Sequence, residues 1–246
     1  PPVRGLESGM EIKVDALVLR TADYGESDRM LTLFTLQRGK LSAACKGVRK
    51  AGAKLRFAAQ PFCFAEYVLA VRGERATVIS AANTDGFYGL RASVEKLYAA
   101  ASLAGICDAL LFDGIVNEAL FLYAVDALRS MCEGKEAEVL ITFILKALDL
   151  SGYRPDFVTC AACGAPIEGR AYFDIAGGGF YCAECARGAG VSEGTLQLLR
   201  KCAGLPYDAS AIAFDSAKRA LKLLEAGFRA RTEAEVRALG EYIAIL

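Results

Sequence analysis

The chain of 246 residues contains no histidine and no tryptophan. Without histidine there can be no Ser-His-Asp triad and no Cys-His nucleophile pair. A Cys2His2 zinc finger and a two-His-one-carboxylate iron site are excluded as well. Acid–base chemistry near neutral pH would fall to a perturbed Glu, Asp, Lys, Tyr or Cys. Such a composition favours binding over catalysis, although histidine-free enzymes exist. Long apolar runs are missing too. The longest uncharged stretches resemble Leu97 to Cys107, whereas a membrane span needs roughly 18 apolar residues, so no membrane segment is expected. Glu11, Lys13 and Asp15 interrupt any apolar segment near the start, so no secretion signal is expected either. Residues 1–9 read as a cloning remnant ahead of Met10.

What is present is unevenly placed. The 29 basic and 29 acidic side chains cancel. Yet Met10–Ser80 holds 12 basic and 7 acidic residues, Ala81–Leu150 holds 5 and 10, and Ser151–Leu246 holds 11 and 11. Net charges of +5, −5 and 0 suggest separate surfaces with separate partners.

The first 80 residues read as strands: Ile12–Leu19, Arg29–Leu36, Leu41–Val48, Phe62–Val71 and Arg75–Ser80. Thr21 to Asp28 reads as a polar connection, Gln37-Arg38-Gly39-Lys40 and Arg72-Gly73-Glu74 as turns. Five short strands in this length fit a small barrel of the OB type. Beyond Asn83 the apolar period becomes helical, first at Val94, Leu97, Tyr98, Ala101 and Ile106, then over Ala119–Met131 and Val139–Leu150. After a glycine- and cysteine-rich break, Ser192 is placed to cap a helix through Cys202. Phe214–Phe228 is amphipathic and expected to end near Gly227. Thr232-Glu233-Ala234-Glu235 has the pattern of a capping box before a last helix. The expected fold is α+β: an N-terminal five-stranded OB-type barrel (10–82), a helical domain (83–155), a four-cysteine zinc ribbon (156–190) inserted in the helical part, and C-terminal helices (191–246).

Four of the nine cysteines form two pairs, Cys160-x2-Cys163 and Cys182-x2-Cys185, 18 residues apart. This is the spacing of a four-cysteine zinc site. Each pair sits on a tight turn that aims both sulfurs at one centre, and two such turns complete a tetrahedron at Zn–S distances of about 2.3 Å. Gly164 permits the first turn, Gly177–Gly179 suits a hairpin, and Phe173, Phe180 and Tyr181 are candidates to pack beneath. Structural Zn2+ is the favoured reading. Two disulfides, a thioredoxin-like pair and an iron–sulfur cluster are the competing ones. Cys45, Cys63, Cys107, Cys132 and Cys202 fall among apolar residues and read as core thiols.

Arg38, Lys40, Lys46, Arg49, Lys50, Lys54 and Arg56 have no acidic residue among them. Arg20 and Arg29 are candidates to join the same surface. Such a cluster is either a solvated loop or a phosphate-neutralising surface; on an OB-type barrel the second reading gains weight. Phe57, Phe62, Phe64 and Tyr67 lie nearby as stacking candidates, at least half of them expected in the core. Asp23, Glu26 and Asp28 form an acidic cluster that, in a competing reading, belongs to a metal-dependent nuclease.

With these residues in hand, the chain resembles the RecO family of recombination mediators. The resemblance is densest at Tyr24-Gly25-Glu26-Ser27-Asp28, Leu33-Phe34-Thr35, Gly39-Lys40, Lys46-Gly47-Val48-Arg49-Lys50 and Gln60-Pro61-Phe62, and again from Gly152-Tyr153-Arg154-Pro155-Asp156 into Cys160-Ala161-Ala162-Cys163-Gly164. The resemblance implies the same order of barrel, helical body and inserted zinc module. It implies binding of single- and double-stranded DNA, annealing of complementary strands, and loading of RecA onto DNA covered by single-strand-binding protein, together with RecR. It implies capture of that protein's acidic C-terminal tail by the helical domain, with Arg91, Lys96 and Arg129 as candidates, and a cytoplasmic, nucleoid-associated site of action. A nuclease with a zinc ribbon, or a zinc-stabilised adaptor indifferent to nucleic acid, are the alternative readings.

Overall fold

The structure, a computed structural model, describes residues 10–246; the expectation for residues 1–9 lies outside the described residues. Five strands, β1 (Met10–Tyr24), β2 (Asp28–Thr35), β3 (Gly39–Cys45), β4 (Phe64–Arg72) and β5 (Arg75–Asp85), close into a barrel in the order β1-β2-β3-β5-β4. β3 and β5 pair in parallel and every other neighbour is antiparallel. This is the arrangement of an OB-type barrel. β1 serves two partners. Met10–Leu17 pairs with β4, and Ala16–Tyr24 pairs with β2. A bulge between Val18 and Arg20 lets the strand bend from one to the other. Thr21–Tyr24, expected as a polar connection, is therefore strand, because Thr21, Ala22, Asp23 and Tyr24 pair with Leu31, Met30, Arg29 and Asp28. Strand ladders need backbone partners rather than apolar side chains, and composition does not register this.

The barrel interior follows from the two-residue period of strands. Val14, Ala16 and Val18, then Leu31 and Leu33, Ala43 and Cys45, and Ala65, Tyr67 and Leu69 all point inward and are buried. Tyr67 is fully buried, and its hydroxyl donates to the Ala58 carbonyl at 2.7 Å. That bond removes the penalty of an unsatisfied buried hydroxyl, about 1–3 kcal/mol. It also holds the short helical turn Phe57–Ala59 against the core. At the β2–β3 turn the Thr35 hydroxyl donates to the Gly39 carbonyl at 2.8 Å and accepts the Arg38 N–H at 2.9 Å. Gly39 has φ +66°, and a Cβ there would lie 2.1 Å from the Ile115 carbonyl oxygen, so no other residue fits. The segment Leu111–Asp126 is compact with the barrel. It includes the start of α2 (Glu118–Glu133), whose Phe121 packs edge-on against Phe34 (5.2 Å) and Phe64 (5.8 Å).

The second compact unit holds α1 (Val94–Leu110), the rest of α2, α3 (Glu136–Leu150), α4 (Glu193–Cys202), α5 (Ser216–Thr232) and α6 (Arg237–Ile245). It also holds a three-stranded sheet ordered β7 (Gly179–Tyr181), β6 (Ala171–Asp174), β8 (Ala189–Val191). α1 is rich in alanine and buries Ala99, Ala100, Leu103, Ala104, Ile106 and Cys107 against α3 and α6. As expected, Ser192 caps α4 and accepts the Thr195 N–H at 3.4 Å.

Two helix ends differ from expectation. α5 does not stop near Gly227 but continues to Thr232. Gly227 is buried within the helix, and a Cβ on it would meet Phe173 at 3.3 Å, so its role is close packing. The capping box does not form. The Thr232 hydroxyl donates to Phe228 at the end of α5, Glu233 closes that helix in a left-handed conformation, and α6 starts after Val236 without a side-chain cap.

Candidate metal centre and nucleic-acid interface

The first cysteine pair is shaped by backbone hydrogen bonds. Gly164 N–H donates to the Cys160 carbonyl at 2.9 Å, and Cys160 N–H donates to the Ala165 carbonyl at 2.8 Å. Gly164 has φ +72°, as the tight turn needs. Ala161 N–H donates to the Phe180 carbonyl at 2.8 Å, tying the turn to β7, which leads into Cys182. The β6–β7 hairpin turns at Gly177–Gly178, as the triple glycine suggests. Beneath it Phe180 packs on Phe157 (5.0 Å) and Phe173 (4.8 Å). Arg200 of α4 donates to the carbonyls of Phe157 (3.0 Å) and Ile167 (2.7 Å), and Arg231 of α5 donates to that of Gly178 (3.0 Å). The module is thus fastened to α4 and α5.

The four sulfurs of Cys160, Cys163, Cys182 and Cys185 all lie within 4.8 Å of one another. Cys163 and Cys182 are 3.9 Å apart; the edge of an MS4 tetrahedron with 2.3 Å bonds is about 3.8 Å. Backbone N–H groups of Cys182 and Cys163 point at the Cys160 sulfur and bring its pKa down to about 6. The neighbouring sulfurs of Cys163 and Cys182 push Cys185 up to about 12. Four thiols this close do not all ionise by themselves, and a bound cation resolves that conflict. The site fits a tetrahedral metal with no open coordination position. All nine cysteines are free of disulfides. Of the other five, Cys45, Cys63 and Cys107 are buried, while Cys132 and Cys202 are half-buried. Burial lifts Cys45 to about 11, as suits an inert core thiol.

The basic candidates divide into two kinds. Lys46, Arg49, Lys50, Lys54 and Arg56 lie on the β3–β4 connection, which is a series of tight turns rather than a loose loop. Arg49 forms an ion pair with Asp23 at 3.3 Å and donates to the Gly25 carbonyl. Arg29 holds the same carboxylate at 3.2 Å and the Ala59 carbonyl at 3.0 Å. Arg56 donates to the Lys50 carbonyl at 2.9 Å. These three arginines brace the barrel and its loop. Arg20 is exposed on β1, Arg38 is exposed in the β2–β3 turn, and Lys40 is half-buried on β3 beside Asp113. Lys46, by contrast, lines an open concavity on the barrel together with Arg72 and Arg75. Those two arginines stand far from the basic run in sequence. The sole local hint of them is the Arg-Gly-Glu-Arg turn.

The four stacking candidates are all packed inward. Tyr67 and Phe62 are buried, Phe64 lies against Phe121, and Phe57 packs on the barrel core. Two members of the acidic cluster, Asp23 and Asp28, are engaged too. Asp23 holds two arginines, and Asp28 accepts the Gly47 N–H at 2.7 Å and the Ser27 hydroxyl at 3.2 Å. Among the described residues the four cysteines are the one cluster with metal-ligand spacing. Of the partner candidates, Lys96 donates to the Cys132 carbonyl at 2.7 Å, Arg91 is exposed in the turn Tyr88–Ala92, and Arg129 is exposed on α2. Among the described residues no helix is long and apolar enough to cross a membrane.

Comparison with known proteins agrees along the chain. The family model described as "Recombination protein O N terminal" matches residues 10–85, and "Recombination protein O C terminal" matches residues 91–239. A protein of Desulforamulus reducens named DNA repair protein RecO is 36% identical over 194 residues, covering 76% of this chain and 75% of its own. Like-named proteins of Desulfitobacterium hafniense (37% over 195 residues; 76% and 71%) and Rubrobacter xylanophilus (36% over 199 residues; 77% and 79%) are similar to a comparable extent.

Proposed function

Since the chain belongs to the RecO family, we propose that it is a DNA repair and recombination mediator. It binds single- and double-stranded DNA through the barrel and anneals complementary strands. With RecR it helps load RecA onto DNA covered by single-strand-binding protein, whose acidic tail the helical unit receives. The observation that carries DNA binding is the barrel concavity lined by Lys46, Arg72 and Arg75. Cations there neutralise phosphates and release counterions, which gives sequence-independent, salt-sensitive binding. The nuclease reading is disfavoured because Asp23 and Asp28 already serve as partners of arginines and amides.

Zinc is the metal that suits four thiolates in a tetrahedron. When bound, it holds the two turns together and adds folding free energy. The cysteines position it, and Arg200 and Arg231 fix the module to its helices. The cytoplasm is the corresponding place of action.

The test is a salt-titrated DNA-binding assay with and without complementary strands, followed by inspection of the DNA for cleavage. Log affinity should fall linearly with log salt, and complementary strands should anneal. Lys46→Ala with Arg72→Ala should weaken binding to all sequences alike. No binding at low salt would favour the adaptor reading, and divalent-metal-dependent cleavage the nuclease.

A further inference from the structure

The four sulfurs of the cysteine site do not face solvent equally. Cys160 is buried at 3% exposure, and its sulfur accepts the backbone N–H groups of Cys182 and Cys163. Cys182 and Cys185 are half-buried, whereas Cys163 is exposed. The turn that carries Cys163 gives it no cover. Ala161, Ala162, Gly164, Ala165 and Pro166 are all exposed, and none has a long side chain to fold over the sulfur. The second turn is open in the same way at Ala183 and Glu184. Across the two turns the Cys163 sulfur meets that of Cys182 at 3.9 Å. A disulfide closes such a gap to about 2.05 Å. A four-cysteine metal site keeps its sulfurs as thiolates, and an accessible thiolate is the form that a peroxide oxidises. The Cys160 sulfur would first have to give up its burial and its two amides.

We propose that Cys163 and Cys182 are a reversible oxidation site, at which hydrogen peroxide joins the two turns by a disulfide and the metal is expelled. The site rests on the four-thiolate metal reading above. The Cys163 thiolate attacks one peroxide oxygen, the O–O bond breaks, and the departing hydroxide takes a proton from solvent to become water. Cys163 is then a sulfenic acid. The Cys182 thiolate attacks its sulfur, the S–O bond breaks, and the second hydroxide leaves as water in the same way. Two thiolates, one peroxide and two protons give one disulfide and two waters; the sulfurs lose two electrons and the peroxide gains them. Cys160 and Cys185 stay reduced, too few ligands to complete a tetrahedron. Cys163 precedes β6 and Cys182 follows β7. The new bond therefore closes the chain around the β6–β7 hairpin and ties the same two turns that the metal ties. A thiol reductant reverses it by exchange.

The full-length, metal-loaded protein is treated with hydrogen peroxide. Metal release is followed with a chromophoric chelator, and disulfides are mapped by mass spectrometry after free thiols are alkylated. About one metal ion per chain should be released, together with a disulfide between Cys163 and Cys182. Dithiothreitol with added zinc should restore the loaded site. Hydrogen exchange should find β6 and β7 still protected in the oxidised protein, unlike protein stripped by a chelator. Cys163→His should keep the metal, as three cysteines and a histidine do elsewhere, and should lose both the disulfide and the release. The wild-type map decides even where that variant holds metal weakly. A disulfide at any other pair of cysteines, metal release without a disulfide, or unchanged thiols under excess peroxide overturns the site. If the purified protein holds no metal, the metal reading fails, and the map still decides the pair.

Discussion

The Asp28 carboxylate accepts the backbone N–H of Gly47 at 2.7 Å, fastening the start of the basic connection to the first residue of β2. Ser27 donates to the same oxygen, and Arg49 N–H donates to the Ser27 carbonyl at 2.9 Å. Asp23 and Asp28 are thus a scaffold for the basic run beside them. They tie down the loop that carries Lys46.

The Gly47 amide, opposed by desolvation and assisted by Ser27, Lys46 and Lys50, holds the Asp28 carboxyl below its ordinary value of 3.8. A depressed folded-state pKa means that the stabilisation is present above the ordinary value and is lost as pH falls through the depressed one. Asp28→Asn should therefore lower the thermal midpoint by a constant amount between about pH 5 and 8, and the gap should close below about pH 4. Melting curves over that range check it, and a gap that persists at the acid end refutes it.

Metal removal should act locally first. The purified chain is expected to carry about one zinc, and Cys163→Ser should lose it. Hydrogen exchange should then show the β6–β7–β8 sheet unprotected while the barrel strands keep their protection. Less than about half a metal per chain in the wild type would overturn the assignment.

Gly227 sits where α5 meets Phe173 of the cysteine module. Gly227→Val should overpack that contact and cost about 1–3 kcal/mol. Gly227→Ala should be close to neutral, because a helix-propensity gain of about 1 kcal/mol offsets the tight 3.3 Å approach. Urea midpoints of the two variants measure this, and a valine variant as stable as the wild type would contradict the packing.

Features that depend on neighbours in the chain were readable without coordinates. The cysteine spacing encodes two turns and a tetrahedron. The cap at Ser192 needs Thr195, three residues on, and the five strands announce themselves through composition and turn residues. Each is a short-range matter of backbone geometry. Helix ends misled where a local signal met a tertiary contact. Gly227 looks like a stop, yet Phe173 takes up the space a side chain would need. Thr232 looks like the start of a helix, yet its hydroxyl closes the one before it.

The basic surface shows the same division at the level of function. Counting charges along the chain picks out the first third of the molecule but gives equal weight to every cation in it. Which arginines brace Asp23, and which face solvent, depends on strands that meet only when the barrel closes. Arg72 and Arg75 line one concavity with Lys46 because β5 lies parallel to β3, a pairing between residues more than thirty positions apart. Charge type and knuckle spacing are written in the order of residues. The sharing of each charge between scaffold and ligand is settled by long-range strand pairing, which local sequence does not encode.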